Sequence, residues 1–203
     1  MDAKIYEKTV QSVDVIDMRI KPLIKGLKLK EDQGSIPNGC VMSKNGSGEG
    51  IPYQNYAAID LVGLTNGTNK AYTYAGAGFD GELAPRSIVV AHGDQELKDD
   101  GHGKLYGDGS GTINYLTGAI AATFTDAPAD ESDAPTVVAA SLPVAVSVRE
   151  ADTALNDDAE PLMDVVSCVY FGSVKRDVAN VNGVALTQAD VDLLEKSNIY
   201  AVY

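Results

Sequence analysis

The stretch that most restricts the fold runs from Gly101 to Phe124, GHGKLYGDGSGTINYLTGAIAATF. Five glycines fall in its first eleven positions, with Asp108 among them. Glycine takes positive φ at no steric cost, and aspartate bonds its own backbone, so both are residues of tight turns. The chain then becomes β-like. Ile113-Asn114-Tyr115 alternates, Thr117-Gly118 reads as a turn, and Ala119 to Phe124 returns. This predicts a β-hairpin and commits its surroundings to sheet.

The same glycines do not make a phosphate loop. A phosphate-binding loop needs GxxxxGK[ST] between a strand and a helix. Here Lys104 is followed by Leu105, Lys98 stands where the first glycine belongs, and a strand follows. Calcium is the better chemical idea, since Asp99, Asp100 and Asp108 surround turns and Ca²⁺ takes carboxylate and carbonyl oxygens. The D-x-D-x-D-G spacing is nevertheless missing, and acidic residues in tight turns ordinarily face water. The two histidines, His92 and His102, lie in an apolar run and between glycines. No GxSxG elbow is present, and nothing in the spacing selects a catalytic pair of carboxylates. No cofactor or metal is therefore expected, and no enzymatic activity.

The rest of the chain repeats the pattern of short apolar runs between turn residues. SVDVIDMRI and LIKGLKLKE read as extended chain. Pro37-Asn38-Gly39 is a turn, CVMSK a short strand, and Asn45 to Gly50 a glycine-rich loop. SIVVAH, TVVAA, LPVAVSVRE and VVSCVYFGSVKRDV are further strands. TDAPADESDAP and ADTALNDDAEPLMD read as polar loops. One helix stands out, LTQADVDLLEKSNIYAVY. Thr187 can cap it, Asp190 three residues on completes a capping box, and Val191, Leu193 and Leu194 supply an apolar side.

Charge separates the first thirty residues from the rest. Seven Lys/Arg against four Asp/Glu give +3 over residues 1–30, while the whole chain is −13, so the remainder carries −16. An acidic body argues against nucleic acid as a partner, because phosphate contacts need a basic face. A basic arm on an acidic body suits an acidic partner. Cys40 and Cys168 lie far apart in apolar runs and read as buried thiols. No apolar run reaches 18 residues and the first residues are too polar for a signal peptide, so a cytosolic, membrane-free protein is expected.

Two separated segments together resemble a known family. KGLKLKEDQGSIPNGCVMSKNGSGEGIPY looks like the opening of tailed-bacteriophage head decoration (capsid cement) proteins: strand, P-x-G turn, strand, glycine-containing hairpin. VSCVYFGSVKRDVANVNGVALTQADVDLLEKSNIY looks like their closing block, and LPVAVSVREADT like the segment before it. Between them, LAPRSIVVAHGDQELKDDGHGKLYGDGSGTINYLTGAIAATFTDAPADE resembles a β module of phage structural proteins. The resemblance implies a mainly β fold. An arm of residues 1–16 leads into a discontinuous, β-tulip-like decoration core of the lambda type (17–56 and 141–203) with a short C-terminal helix. A β-sandwich-like module (57–140) interrupts that core.

The function it implies is that of a virion structural protein on the outer surface of the head, bound to the major capsid protein, trimeric, and stabilising the expanded shell. Lys4, Tyr6, Lys8, Val13, Val15, Arg19 and Lys21 are the expected capsid-contacting residues. Strand addition by such an arm gains affinity from main-chain hydrogen bonds. A tail, baseplate or fibre component with a host-surface binding β module is the alternative.

Overall fold

The structure, a computed structural model, describes residues 15–17, 19–62, 68–127, 134–154 and 162–203. It is mainly β, with 52% strand and 5% helix. The first block of strands is β1 (Ile16–Asp17), β2 (Leu23–Lys28), β3 (Ser35–Ile36), β4 (Val41–Lys44) and β5 (Gly50–Pro52). The middle block is β6 (Asn55–Asp60), β7 (Ala71–Tyr74), β8 (Val89–His92), β9 (Gln95–Asp99), β10 (Lys104–Gly107), β11 (Gly109–Asn114), β12 (Ala119–Phe124) and β13 (Thr136–Ala140). The last block is β14 (Ala145–Ser147), β15 (Ala151–Asp152), β16 (Val165–Lys175), β17 (Asn180–Val181), β18 (Val184–Ala185), α1 (Gln188–Lys196) and β19 (Ile199–Val202).

The first and last blocks share a seven-stranded sheet, and β3–β15 and β17–β18 form two small ribbons beside it. Its axis is β16, eleven residues rich in β-branched and aromatic side chains. Residues 165–171 of β16 pair with β2 and residues 168–169 with β14, while its far end pairs antiparallel with β1 and parallel with β19. The strand changes partners at Gly172. The register shifts between Val169 and Phe171, and Gly172 has φ +122. A Cβ there would lie 2.9 Å from Pro22 Cα, so the first block crosses against bare backbone. β1 and β2 thus follow one another along β16, both antiparallel to it.

The helix starts as its sequence predicts but ends at Lys196; Ile199–Val202, read as its continuation, is instead β19, drawn into the sheet by parallel pairing with β16. Thr187 Oγ1 accepts from Asp190 N and the Asp190 carboxylate accepts from Thr187 N, a complete capping box. Val191 and Leu194 are buried and Leu193 is half-buried.

The middle block makes an eight-stranded sheet in the order β6-β13-β8-β9-β10-β11-β12-β7. β8 to β12 are a meander in which every strand pairs with the next. Period-2 alternation turns Val90, Leu97, Leu105, Ile113, Ile120 and Phe124 inward to one core. The sheet curls into a half-barrel. The curl brings its two ends together where Val62, just past β6, exchanges two backbone hydrogen bonds of 2.9 Å with Thr73 of β7.

The hairpin expected over residues 113–124 is β11–β12, in the register Asn114↔Ala119. Asn114 Oδ1 accepts from the amides of Leu116 and Thr117 and holds its turn. The glycine-rich part before it is also sheet. Gly107 and Gly109 flank Asp108 where β10 folds back into β11, with φ +136 and +155. A Cβ on either would stand 2.2 Å from Glu96 O or 2.1 Å from Thr123 O. These glycines let four strands, β9 to β12, approach at one corner.

The middle block leaves and re-enters the seven-stranded sheet through neighbouring strands. β6 and β13 are antiparallel, ending at Asn55↔Ala140. Beyond that pair, Ser141 N donates to Gln54 O and Gln54 N donates to Ser141 Oγ, each at 2.9 Å. Ser141 Oγ and Ser43 Oγ lie 2.8 Å apart, both fully buried, and tie this neck to β4.

The corner at Gly109 gives a direct test. Gly109→Ala should cost about 1–3 kcal/mol or more, because the methyl meets a carbonyl oxygen and φ is unfavourable. Ser110→Ala, one residue on and exposed, should be near neutral. Thermal or urea melts compare the two; equal stability of both variants would contradict the corner geometry.

Candidate functional site

Of the residues expected to contact a capsid, Lys4, Tyr6, Lys8 and Val13 lie outside the described residues. Val15 is sealed at 1% exposure in the core beside Val174 and Ile199, so its side chain offers a partner no surface. Its carbonyl accepts from Lys175 N, which continues the β1–β16 pairing. Arg19 is exposed but engaged. Its guanidinium bonds both Asp17 carboxylate oxygens at 2.9–3.0 Å and donates to Tyr203 O. The hydrogen bonds from the Arg19 side chain and amide hold the Asp17 carboxyl below its ordinary range. Lys21 is exposed and makes no ion pair among the described residues.

Lys21 opens a larger surface. Next to it, β2 keeps Leu23 and Ile24 at 45% and 43% exposure, and β16 places Phe171 opposite Leu23 at 42%. Val165, Leu162 and Met163 continue exposed apolar surface at the other end of the same strand pair. Lys25 is a second exposed cation with no ion pair among the described residues, while Lys28 pairs with Glu49 at 2.8 Å. Exposed apolar residues scattered singly mean nothing, but a cluster along one pair of strands marks a contact surface. The sequence signal was the run RIKPLIKGLK, whose burial pattern alone decides that Leu23 and Ile24 face water and Leu27 the core.

The acidic turns are engaged in a different way. Asp99, 5% exposed, accepts from Arg86 N at 2.6 Å, Gly101 N at 2.9 Å and the Tyr115 hydroxyl at 2.5 Å. Asp100 Oδ1 accepts from the amides of His102 and Lys104, which keeps its carboxyl below the ordinary range. Asp108 Oδ2 accepts from Glu96 N. All three carboxylates serve as backbone anchors, Asp99 and Asp100 around the β9–β10 turn and Asp108 at the β10–β11 turn, and no cluster of His, Cys, Asp and Glu among the described residues is arranged for a metal.

Nor are the nucleophile candidates assembled. His92 is buried between Tyr72 and Phe124 as part of an aromatic core, whereas His102 sits exposed in the β9–β10 turn. Burial raises the Cys40 thiol to about 11 and the Cys168 thiol to about 12, so neither is a thiolate near neutral pH.

A cleft of about 440 Å³ lies where α1 faces the middle block, lined by Tyr53, Asn55, Arg86, Val138, Asp190 and Lys196. Its floor is Asp190, 3% exposed. One carboxylate oxygen accepts from the Tyr53 hydroxyl and Asn55 Nδ2, both at 3.1 Å, and the other from Thr187 N and Oγ1. Burial pushes this carboxyl up, but the bonds from Thr187, Asn55 and Tyr53 outweigh it and hold it below the ordinary range. Burial and the Asp190 charge in turn raise the Tyr53 hydroxyl. The capping box was visible in the sequence. Its second use, joining the helix to the strand that starts the middle block, was not, because Tyr53 and Asn55 are more than 130 residues away.

No family model matches the chain, and comparison with curated proteins and with solved structures finds no match.

The Asp190 node predicts a pH dependence. A carboxyl depressed in the folded state stabilises above its unfolded value near 3.9, and loses that contribution as pH falls through the folded value. Asp190→Asn should cost about 1–2 kcal/mol at pH 7, with the deficit shrinking below about pH 4. Urea melts at pH 7 and pH 3 measure it; a deficit independent of pH would contradict the role of the charge.

Proposed function

We propose that this chain is a virion structural protein that binds the exterior of a tailed-phage head and reinforces the expanded shell. The observation that carries the reading is the flank made by β2 and β16. It presents Leu23, Ile24 and Phe171 beside Lys21 and Lys25, which make no ion pair among the described residues. That surface sits on the seven-stranded sheet, on the strand pair that follows β1, so residues 1–14 join the body at the start of the same flank. A basic, apolar flank suits an acidic protein surface, and a preceding segment able to add as a strand gives further affinity through main-chain bonds. The middle block, tethered through neighbouring strands, then projects from the shell.

The major capsid protein is the partner in this reading, and a homotrimer would multiply weak contacts by raising their effective concentration. The resemblance of the first and last blocks to head decoration proteins supports it, as does the division of the strands between two sheets.

Purified protein added to undecorated, expanded heads should bind saturably and raise their thermal stability. Lys21→Glu with Lys25→Glu should weaken binding by roughly tenfold or more, since a favourable charge contact becomes a repulsion, and binding of the unmodified protein should fall with salt. Deleting residues 1–14 should also abolish binding while leaving the body folded. Heads that neither bind the protein nor gain stability would refute the role; electron microscopy of labelled virions showing the protein on the tail would replace it.

A further inference from the structure

The least expected backbone conformation on the surface belongs to Arg86. Ala84-Pro85-Arg86-Ser87 is a β-turn closed by Ser87 N donating to Ala84 O at 3.1 Å, with proline at the second position. Arg86, at the third, has φ +67. Proline followed by positive φ is the signature of a type II turn, where the third residue is normally glycine or asparagine. An arginine there carries a steric cost that glycine would remove. Strain of this kind on an exposed, charged residue points to use of the side chain.

The mount is rigid. Arg86 N donates at 2.6 Å to the buried Asp99, which Tyr115 and Gly101 hold from the other side. The side chain lies across Gly101, where a Cβ would stand 2.9 Å from Arg86 Cγ and Nε. Nε reaches only Asp100 O, at 3.5 Å, and the two terminal nitrogens have no partner among the described residues.

In front of this guanidinium is an open depression of about 600 Å³ on the outer face of the meander, lined by Arg86, Val89, Lys98, Asp100 and Tyr106 among others. Val89, Lys98 and Tyr106 are directly cross-strand in register and alternate with the inward Val90, Leu97 and Leu105. Tyr106 is 56% exposed. Asp100 commits Oδ1 to two backbone amides, and Oδ2 has no hydrogen bond among the described residues. The depression therefore offers an aromatic ring, a fixed guanidinium on Arg86, the ammonium of Lys98, which also pairs with Glu96 at 2.8 Å, and a carboxylate acceptor.

We propose that this depression is a saccharide-binding site. A sugar presents an apolar C–H face and a rim of hydroxyls that both donate and accept. It fits a tyrosine ring edged by a guanidinium, an ammonium and a carboxylate, each supplying one side of those bonds. A peptide added as a strand is poorly served here, because β8, β9 and β10 are each paired on both sides. Nucleic acid is opposed by the net charge of −13. The site does not depend on where in a virion the chain resides.

The test uses the full chain on a printed panel of N-acetylglucosamine oligomers, galactose-terminated oligosaccharides, rhamnose-containing oligosaccharides and uronic-acid oligomers. Any hit is followed by titration in solution. The unmodified protein should bind at least one class, and Arg86→Gly and Tyr106→Ala should each weaken that binding by roughly tenfold or more. Because glycine suits the turn, Arg86→Gly should melt at the same temperature as the unmodified protein or higher, which separates lost binding from lost folding. Failure to bind every member of the panel overturns the proposal, as does binding that survives both substitutions.

Discussion

Everything in the seven-stranded sheet depends on the pairing of β16. Four strands from both ends of the sequence, β1, β2, β14 and β19, form on this one strand, and the pairing passes from β2 to β1 and β19 at Gly172. With a side chain at Gly172, Pro22 could not cross, and β1 and β2 could not both follow β16. β16 buries Val166 and Cys168 in one apolar cluster and Val169 and Val174 in another, while Phe171 and Val165 stay exposed beside β2. The same strand therefore organises the core and carries half of the exposed flank.

The second sheet is joined to the first around its entry and exit strands, with Glu82 N also donating to Lys44 O. Its entry and exit strands are neighbours, bonded at Gln54 and Ser141 and fixed to β4 by the buried Ser43–Ser141 contact. Asp190 adds a further tie by gripping Tyr53 and Asn55 from the helix. A module that begins and ends at one place closes its own core without disturbing the register of its host sheet. Its curl, completed by the Val62–Thr73 bridge, leaves the outer face of the meander as continuous sheet surface.

Legibility in the sequence followed the range of the interaction. The β11–β12 hairpin and the capped helix rest on residues within a few positions of one another, and both stand where alternation and capping chemistry place them. β9 was hidden because QELKD is charged at alternate positions and only Leu97 faces the core with Asp99. β10 was hidden because Gly107 and the glycines around it read as a loop, whereas Gly107 serves close strand approach. Val15 was read as a contact residue from its place in a polar, strand-capable arm, yet its partners Val174 and Ile199 come from the far end of the chain. The Arg86 conformation was unreadable for a related reason: Pro85 announces a turn, but only the clamp from Asp99 decides which residue takes positive φ.

The proposed head-binding role stands on the flank of β2 and β16 with the residues that lead into it. Hydrogen exchange of the protein free and bound to undecorated heads locates the contact without any substitution. Added protection over residues 16–28 and 165–171, with the β10–β12 meander unchanged, is the predicted result. Protection confined to the meander, or no change anywhere on incubation with heads, would contradict it.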